Sequence, residues 1–175
     1  MEGRNLVKRS DKKAFYKLSG AEGEVFTRMK GFTELSGSKN PKEYTRQYID
    51  ESFETTDTVG YSHSISFAFD EFTNDEVLAD IVDILDNELL GNDAHREIVM
   101  VNFSKPVDGG FEAIKRTFAV VGDSEGGSTD AYTYSGNLKV VGSKIVGVAT
   151  IKTPENGDSE TVETVTFAES VSSGN

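Results

Sequence analysis

Cysteine is absent from all 175 residues, which removes thiol catalysis, thiolate metal sites and disulfide staples, and fits a reducing compartment or a particle assembled in one. Tryptophan is absent as well, which counts against a carbohydrate-binding module built on exposed aromatic rings. Only two histidines occur, His63 and His95, with no HExxH or HxH spacing to bring them onto one metal ion. No apolar run approaches the ~18 residues of a membrane helix. The first thirteen residues, MEGRNLVKRSDKK, have no apolar core of a secretory signal. The expectation is a soluble chain made and kept in the cytoplasm.

Positive charge is scarce beyond the front end. Residues 1–50 hold eleven Lys/Arg against seven Asp/Glu, whereas residues 51–175 hold seven against twenty-three, within a net charge of −12. Such a chain is a poor nucleic-acid reader, because displacing counterions from phosphates needs massed Lys and Arg. An acidic surface suits a conduit that DNA slides through. A basic front and an acidic body in one polypeptide also favour contact between copies, since surfaces of opposite sign attract and fix register.

At this length the chain forms about one domain, able to bury roughly two-thirds of its unfolded surface in its core. Residues 1–13, with Arg4, Lys8, Arg9, Lys12 and Lys13, read as a basic arm. Residues 14–168 read as the domain and 169–175 as a flexible tail. From Ala14 to Phe69 the pattern is strand, interrupted by a polar loop over residues 36–59 that contains Lys39, Lys42 and Arg46. A loop of that length in a compact domain, recovering some strand character at Tyr44 to Tyr48, suggests an interaction element. In YSHSISFAF, Tyr61, His63, Ile65, Phe67 and Phe69 alternate with Ser62, Ser64, Ser66 and Ala68, the period of a half-buried strand.

A helix follows over about residues 74–90, capped by Asn74 and stopped by Gly91 and Asn92. Its apolar stripe is Val77, Leu78, Ile81, Val82, Ile84, Leu85 and Leu89. The opposite face carries Glu76, Asp80, Asp83, Asp86 and Glu88 without a base among them. A basic element from elsewhere, the arm of a neighbour, is one partner for that face; water is the other. Strands return at Glu97–Phe103, Phe111–Val121, Ala131–Val141, Lys144–Ile151 and Thr161–Ala168. Gly142-Ser143 predicts a tight hairpin, which sets Tyr132, Tyr134, Leu138, Val140, Ile145, Ala149 and Ile151 on one face. The face with Thr133, Ser135, Asn137, Lys139, Val146, Val148 and Thr150 is mixed. PENGD predicts a turn that folds the last strand back as a third member of the meander.

No constellation carries chemistry. Ser62 and Ser64 flank His63 but point to the opposite face of a strand, so they form no nucleophile and base. The glycines lack the GxxxxGK[ST] order. Asp80 with Asp83, and Glu51 with Glu54 and Asp57, miss the EF-hand spacing. No catalytic, cofactor or metal site is expected, and the chain is not expected to be an enzyme.

Two separated stretches, KNPKEYTRQYIDESFETTDTVGYSHSISFAFDEFTNDEV and YSGNLKVVGSKIVGVATI, with the helix between them, resemble the tail tube (major tail) proteins of long-tailed phages and prophages of Gram-positive bacteria. The resemblance implies a mainly β fold, a sandwich or barrel with one flanking helix. It implies hexameric rings stacked into a hollow tube that passes DNA without specific binding. The implied partners are the chain itself and the tape measure, tail tip and tail terminator proteins, and no membrane. The implied location is the virion, after assembly in the host cytoplasm. Carried onto this sequence, residues 36–59 resemble the element that reaches the adjacent ring. Arg4 to Lys13 resemble the arm that binds rings together, and Ala131–Ile151 the lumen wall. The inner tube of a contractile tail or of a phage-tail-like bacteriocin has a similar fold, and a β-sandwich binding module at the tail tip is a further alternative.

Overall fold

The computed structural model describes residues 3–151 and 163–170. Among them are ten strands: β1 (Lys12–Tyr16), β2 (Val25–Arg28), β3 (Phe32–Ser38), β4 (Pro41–Arg46), β5 (Thr55–Tyr61), β6 (Ser64–Asp70), β7 (His95–Val107), β8 (Gly110–Glu125), β9 (Thr133–Ile151) and β10 (Thr164–Glu169). A single α-helix among the described residues, α1 (Glu76–Asp86), lies between β6 and β7. Eight strands form one sheet in the order β10-β2-β1-β7-β8-β9-β6-β3, while β4 and β5 pair only with each other. Because β10 also pairs with β9, the run β10-β2-β1-β7-β8-β9 closes into a six-stranded barrel, and β6 and β3 extend the sheet beyond it.

One sheet thereby serves two cores, and strand alternation sorts side chains between them. Phe15, Val99, Val101 and Ala113 point into the barrel with Phe26, Ala149, Val165 and Phe167. Their neighbours Ala14, Tyr16, Ile98, Phe118 and Val120 point to the other face, where Ile65, Phe67 and Phe69 of β6 and the apolar stripe of α1 complete a second cluster. Each strand shared by both clusters is buried on two sides, which is why β1 reads as nearly continuous burial while β6 alternates strictly.

The hairpin expected at Gly142-Ser143 is a bulge inside one nineteen-residue strand. Val141 pairs with Thr117 and Ile145 with Lys115, so three residues of β9 face Arg116 alone, with Gly142 at φ +83° supplying the left-handed turn of the chain. Continuity overturns the expected faces. Tyr134, Leu138 and Val140 lie in the cluster under the helix, whereas Ile145, Ala149 and Ile151 enter or abut the barrel interior. At the bulge β9 also changes its outer neighbour, from β6 along residues 133–139 to β10 along 147–151. The last strand does fold back on β9, and it pairs with β2 on its other side. The PENGD turn lies outside the described residues, as do residues 171–175 of the expected tail.

Two helix signals shift. Asp75, not Asn74, is the N-cap: its carboxylate accepts the backbone N–H groups of Val77 and Leu78 at 3.0 and 3.1 Å. The helix stops at Asp86 rather than Leu90, because Glu88 takes φ +48° and Leu89 N–H closes back on Ile84 O at 3.0 Å, a Schellman termination usually assigned to glycine. Residues 36–59, expected to be a loop, contain the end of β3, all of β4 and most of β5.

Candidate assembly surfaces

The basic residues singled out in the sequence fall into two places. Arg4 lies in an exposed segment without regular structure before β1. Lys8 and Arg9 fix the root of that arm: Lys8 N–H donates to Asp11 Oδ2 at 2.7 Å, and the Arg9 guanidinium donates to the carbonyls of Lys12 and, at 3.1 Å, Leu35 of β3. Lys12 and Lys13 belong to β1. Lys13 is buried, its ammonium 5.3 Å from the centre of the Phe103 ring at one end of the barrel. The second place holds Lys39, before β4, with Lys42 and Arg46 on β4.

The β4–β5 hairpin stands apart from both cores. Its base is locked by Asn40, whose side-chain amide donates to Ser62 O and Ser64 Oγ at 3.0 Å each. Arg46 serves the hairpin itself: it bonds Asp57 at 2.6 Å and the Tyr48 hydroxyl at 2.9 Å and lies over the rings of Tyr44 and Tyr48. Around it Tyr44, Tyr48, Ile49, Phe53, Val59 and Tyr61 are all exposed, Phe53 at 83% and Ile49 completely. A two-stranded ribbon is marginal in water by itself, and an apolar group of this size without cover marks a binding surface. The charges of this segment are plain in the sequence, whereas its aromatic residues, Tyr44 on β4, Tyr48 and Phe53 in the connection and Tyr61 at the end of β5, are spaced irregularly and give no periodic signal.

The acidic helix face is not uniform. Asp80 is nearly buried and faces inward, accepting Arg96 Nε at 2.7 Å and the Tyr16 hydroxyl at 2.5 Å. The base that the helix lacks thus comes from β7 of the same chain. Burial, then Asp80, pushes the Tyr16 hydroxyl far above its ordinary range; the Arg96 guanidinium is raised because Asp80 outweighs its burial. Asp86 accepts from the Tyr134 hydroxyl at 3.1 Å, and burial with that bond raises Tyr134. Glu76 and Asp83 remain exposed, Asp83 taking Asn87 Nδ2 at 2.7 Å. Among the described residues no three His, Asp or Glu side chains lie close enough to hold a metal ion, and no helix is long and apolar enough to cross a membrane.

Beyond the barrel, the face of the sheet opposite α1 is paved with small polar groups. Rows Ser36–Ser66–Asn137 and Ser38–Ser64–Lys139 run across β3, β6 and β9, with Ala68 beside Ser135 and Asp70 beside Thr133. Ser66 Oγ and Asn137 Oδ1 are 3.1 Å apart, and Ser135 Oγ and Ser124 Oγ 2.7 Å. This is the other face of the residues that bury Ile65, Phe67 and Phe69. It is an open wall of hydroxyls with few charges.

No protein-family model matches the chain, and no curated protein does. Solved structures do. The SPP1 tail tube, determined by solid-state NMR and cryo-EM, superposes with a TM-score of 0.66 at 12% identity over 83% of this chain and 81% of its own. The tail of an empty GTA particle, refined with C6 helical symmetry, superposes with a TM-score of 0.57 at 16% identity over 78% of this chain and 96% of its own. The fold is therefore the mainly β architecture of these tail tubes, a six-stranded barrel with an extended sheet and one flanking helix.

Proposed function

We propose that this chain is a structural subunit that closes into hexameric rings, stacked as the hollow tail tube of a long-tailed phage or prophage of a Gram-positive host, and that it makes and breaks no covalent bond. The observation that carries this reading is the superposition on the SPP1 tail tube across most of both chains. Three features of the chain support it. The hydroxyl-rich face of β3, β6 and β9 suits the lumen, because small polar groups stay hydrated and its charges are few and mixed in sign, Glu34 and Asp70 against Lys139. The β4–β5 hairpin carries uncovered apolar side chains out to a neighbour. Among the described residues strand β3 is a sheet edge with no strand on its outer side, a template for a second copy. On this reading the segment before β1, the hairpin within residues 36–59 and the basic residues Lys39 and Lys42 lie between rings. The tape measure, tail tip and tail terminator proteins meet the tube inside and at its ends, and assembly takes place in the host cytoplasm.

Negative-stain electron microscopy of the purified chain tests this. Rings or tubes of uniform width are expected, and a monodisperse monomer at every concentration and salt would sink it.

A further inference from the structure

His63 stands where the β4–β5 ribbon returns to the body of the fold, after β5 ends at Tyr61 and before β6 begins at Ser64. Its ring turns away from the ribbon and into the sheet. The imidazole lies 6.1 Å from the Phe118 ring of β8, centre to centre, and against Gly37 of β3, where an added Cβ would meet Cε1 at 3.4 Å. An imidazole N–H donates to the carbonyl of Ser38, the last residue of β3, and the His63 carbonyl accepts Val140 N–H of β9 at 3.0 Å. One residue on the outgoing side of the ribbon thus grips both the strand that leads into it and the body behind it. The Asn40 bonds join the two sides of the ribbon root to each other; His63 joins that root to the core.

We infer that His63 is a proton-operated latch: neutral, it holds the β4–β5 ribbon at a fixed angle to the sheet, and on taking up a proton it leaves its niche and lets the ribbon swing. The consequence for assembly rests on the tail-tube reading, in which the ribbon presents its exposed apolar side chains to a neighbour; a ribbon without a fixed angle presents them poorly. A neutral ring suits a half-buried niche beside an aromatic side chain, and an imidazolium does not. The charged groups that act on the ring are Arg116 of β8 and Lys39 of the turn before β4, both cations. The other residues against it, Gly37, Ser38, Phe118 and Val140, bring no titratable side chain. Burial first, then Arg116 and Lys39, outweigh the Ser38 bond and hold the ring below the ordinary histidine value of 6.5. The latched state therefore binds its proton more weakly than the released one. Its advantage is complete above the ordinary value and is lost as pH falls through it toward the lowered one.

The chain has only two histidines, so protein carrying isotope-labelled histidine gives two ring signals in solid-state or solution NMR, told apart with His95→Gln. As pH is lowered from about 8 to about 5, the His63 signal should titrate below the ordinary value, the Ser38 and Asn40 amide signals should move along the same curve, and Arg116→Gln should raise the midpoint. A midpoint at or above the ordinary value, or Ser38 and Asn40 signals that stay still, overturns the latch. Pelleting of tubes over the same range reads the consequence. The unaltered chain should lose its tubes and regain them on neutralisation, whereas His63→Gln, whose amide donates to Ser38 without titrating, should keep them. Matching pelleting curves for the two would remove the latch from assembly and assign any acid sensitivity to the carboxylates. No tubes at any pH would sink the tail-tube reading alone, because the ring titration judges the latch separately.

Discussion

Strands β5 and β6 have the same length and follow one another in the chain, yet they have opposite fates. In β6 every second residue is buried, and Ile65, Phe67 and Phe69 vanish under the helix. In β5, Val59 and Tyr61 are exposed, and its partner is a single equally exposed strand. The difference lies in what each strand was given to pack against. Strand β6 stands between β9 and β3 over a helix, so its apolar side chains stabilise the monomer. The β4–β5 ribbon has no second layer, so its apolar side chains leave the folded monomer nearly as exposed as the unfolded chain. Energy withheld from folding in this way is available for association.

Attacking the covered side gives the largest expected change. Phe67 is buried among Phe32, Phe69 and the β9 backbone, and its ring lies against Gly136, where any Cβ would strike it and the Val121 carbonyl. Phe67→Ala should cost about 3–5 kcal/mol, read as a fall in the urea midpoint with unchanged slope. A loss comparable to that of a surface change would show that β6 does not anchor the sheet.

Next comes the tie between helix and barrel. Asp80→Ala strips Arg96 of its partner in a site where both side chains are about one-tenth exposed, and leaves the Tyr16 hydroxyl without its acceptor. Removing one member of a buried pair costs about 3 kcal/mol or more. Exposed Asp83→Ala serves as the control and should stay near the wild-type midpoint. Equal losses would place both carboxylates in the same environment, against the geometry.

A smaller change separates by pH. At one end of the barrel Lys17 and Lys115 meet Glu24 and Glu97, with Lys115–Glu24 at 2.8 Å and Lys17–Glu97 at 2.9 Å. Burial pushes the Glu24 carboxyl up, but Lys115 and Lys17 outweigh it and hold it below its usual range. A depressed carboxylate contributes stability above its unfolded pKa and loses it as pH falls through the folded value. The Glu97 carboxylate raises Lys17, outweighing its burial, so that contribution is lost only as alkaline pH passes the raised value. Glu24→Gln should therefore narrow the stability difference between neutral and acidic pH. An unchanged acid limb would remove Glu24 from the network's energetics.

What the sequence made legible follows the same division. Strict alternation in Ser64–Asp70 and the apolar stripe of α1 were visible because each has a single buried face and a single period. The bulge at Gly142 was not, because a glycine-serine pair between apolar runs serves a tight turn and a left-handed bulge equally well; only the partner strand β8, sixteen residues long, decides that β9 continues. Two cores on one sheet blurred the rest: β1, buried on both sides, has no alternation to detect. Asp80 read as a surface acid because Arg96 lies sixteen positions away. The hairpin aromatics escaped notice because exposure belongs to the absence of a neighbour, which no local pattern encodes.

Helix termination offers a modest gain. Glu88 sits at φ +48°, where a side chain is strained and glycine is not. Glu88→Gly should stabilise the monomer by about 1 kcal/mol or less, read as a small upward shift in melting temperature. An unchanged or lowered melting temperature would show that the left-handed backbone at Glu88 costs the fold nothing.

The smallest expected change in monomer stability comes from the boldest surface substitution, Ile49→Ser with Phe53→Ser at the hairpin tip. Both side chains are exposed in the folded chain, so serine there removes little burial and should shift the unfolding free energy by under about 0.5 kcal/mol. Arg46, Asp57 and the Thr45–Thr56 hydroxyl pair, 2.9 Å apart, hold the ribbon without them. On the proposed function assembly should respond in the opposite sense, with tube yield lost, since among the described residues nothing covers these two side chains. Midpoint and tube yield measured on one preparation decide the matter. A large fall in the midpoint would mean that the hairpin tip folds back to stabilise its own subunit, and undiminished tubes would mean that the apolar tip faces nothing in the assembled state; either result erases the contrast between β5 and β6.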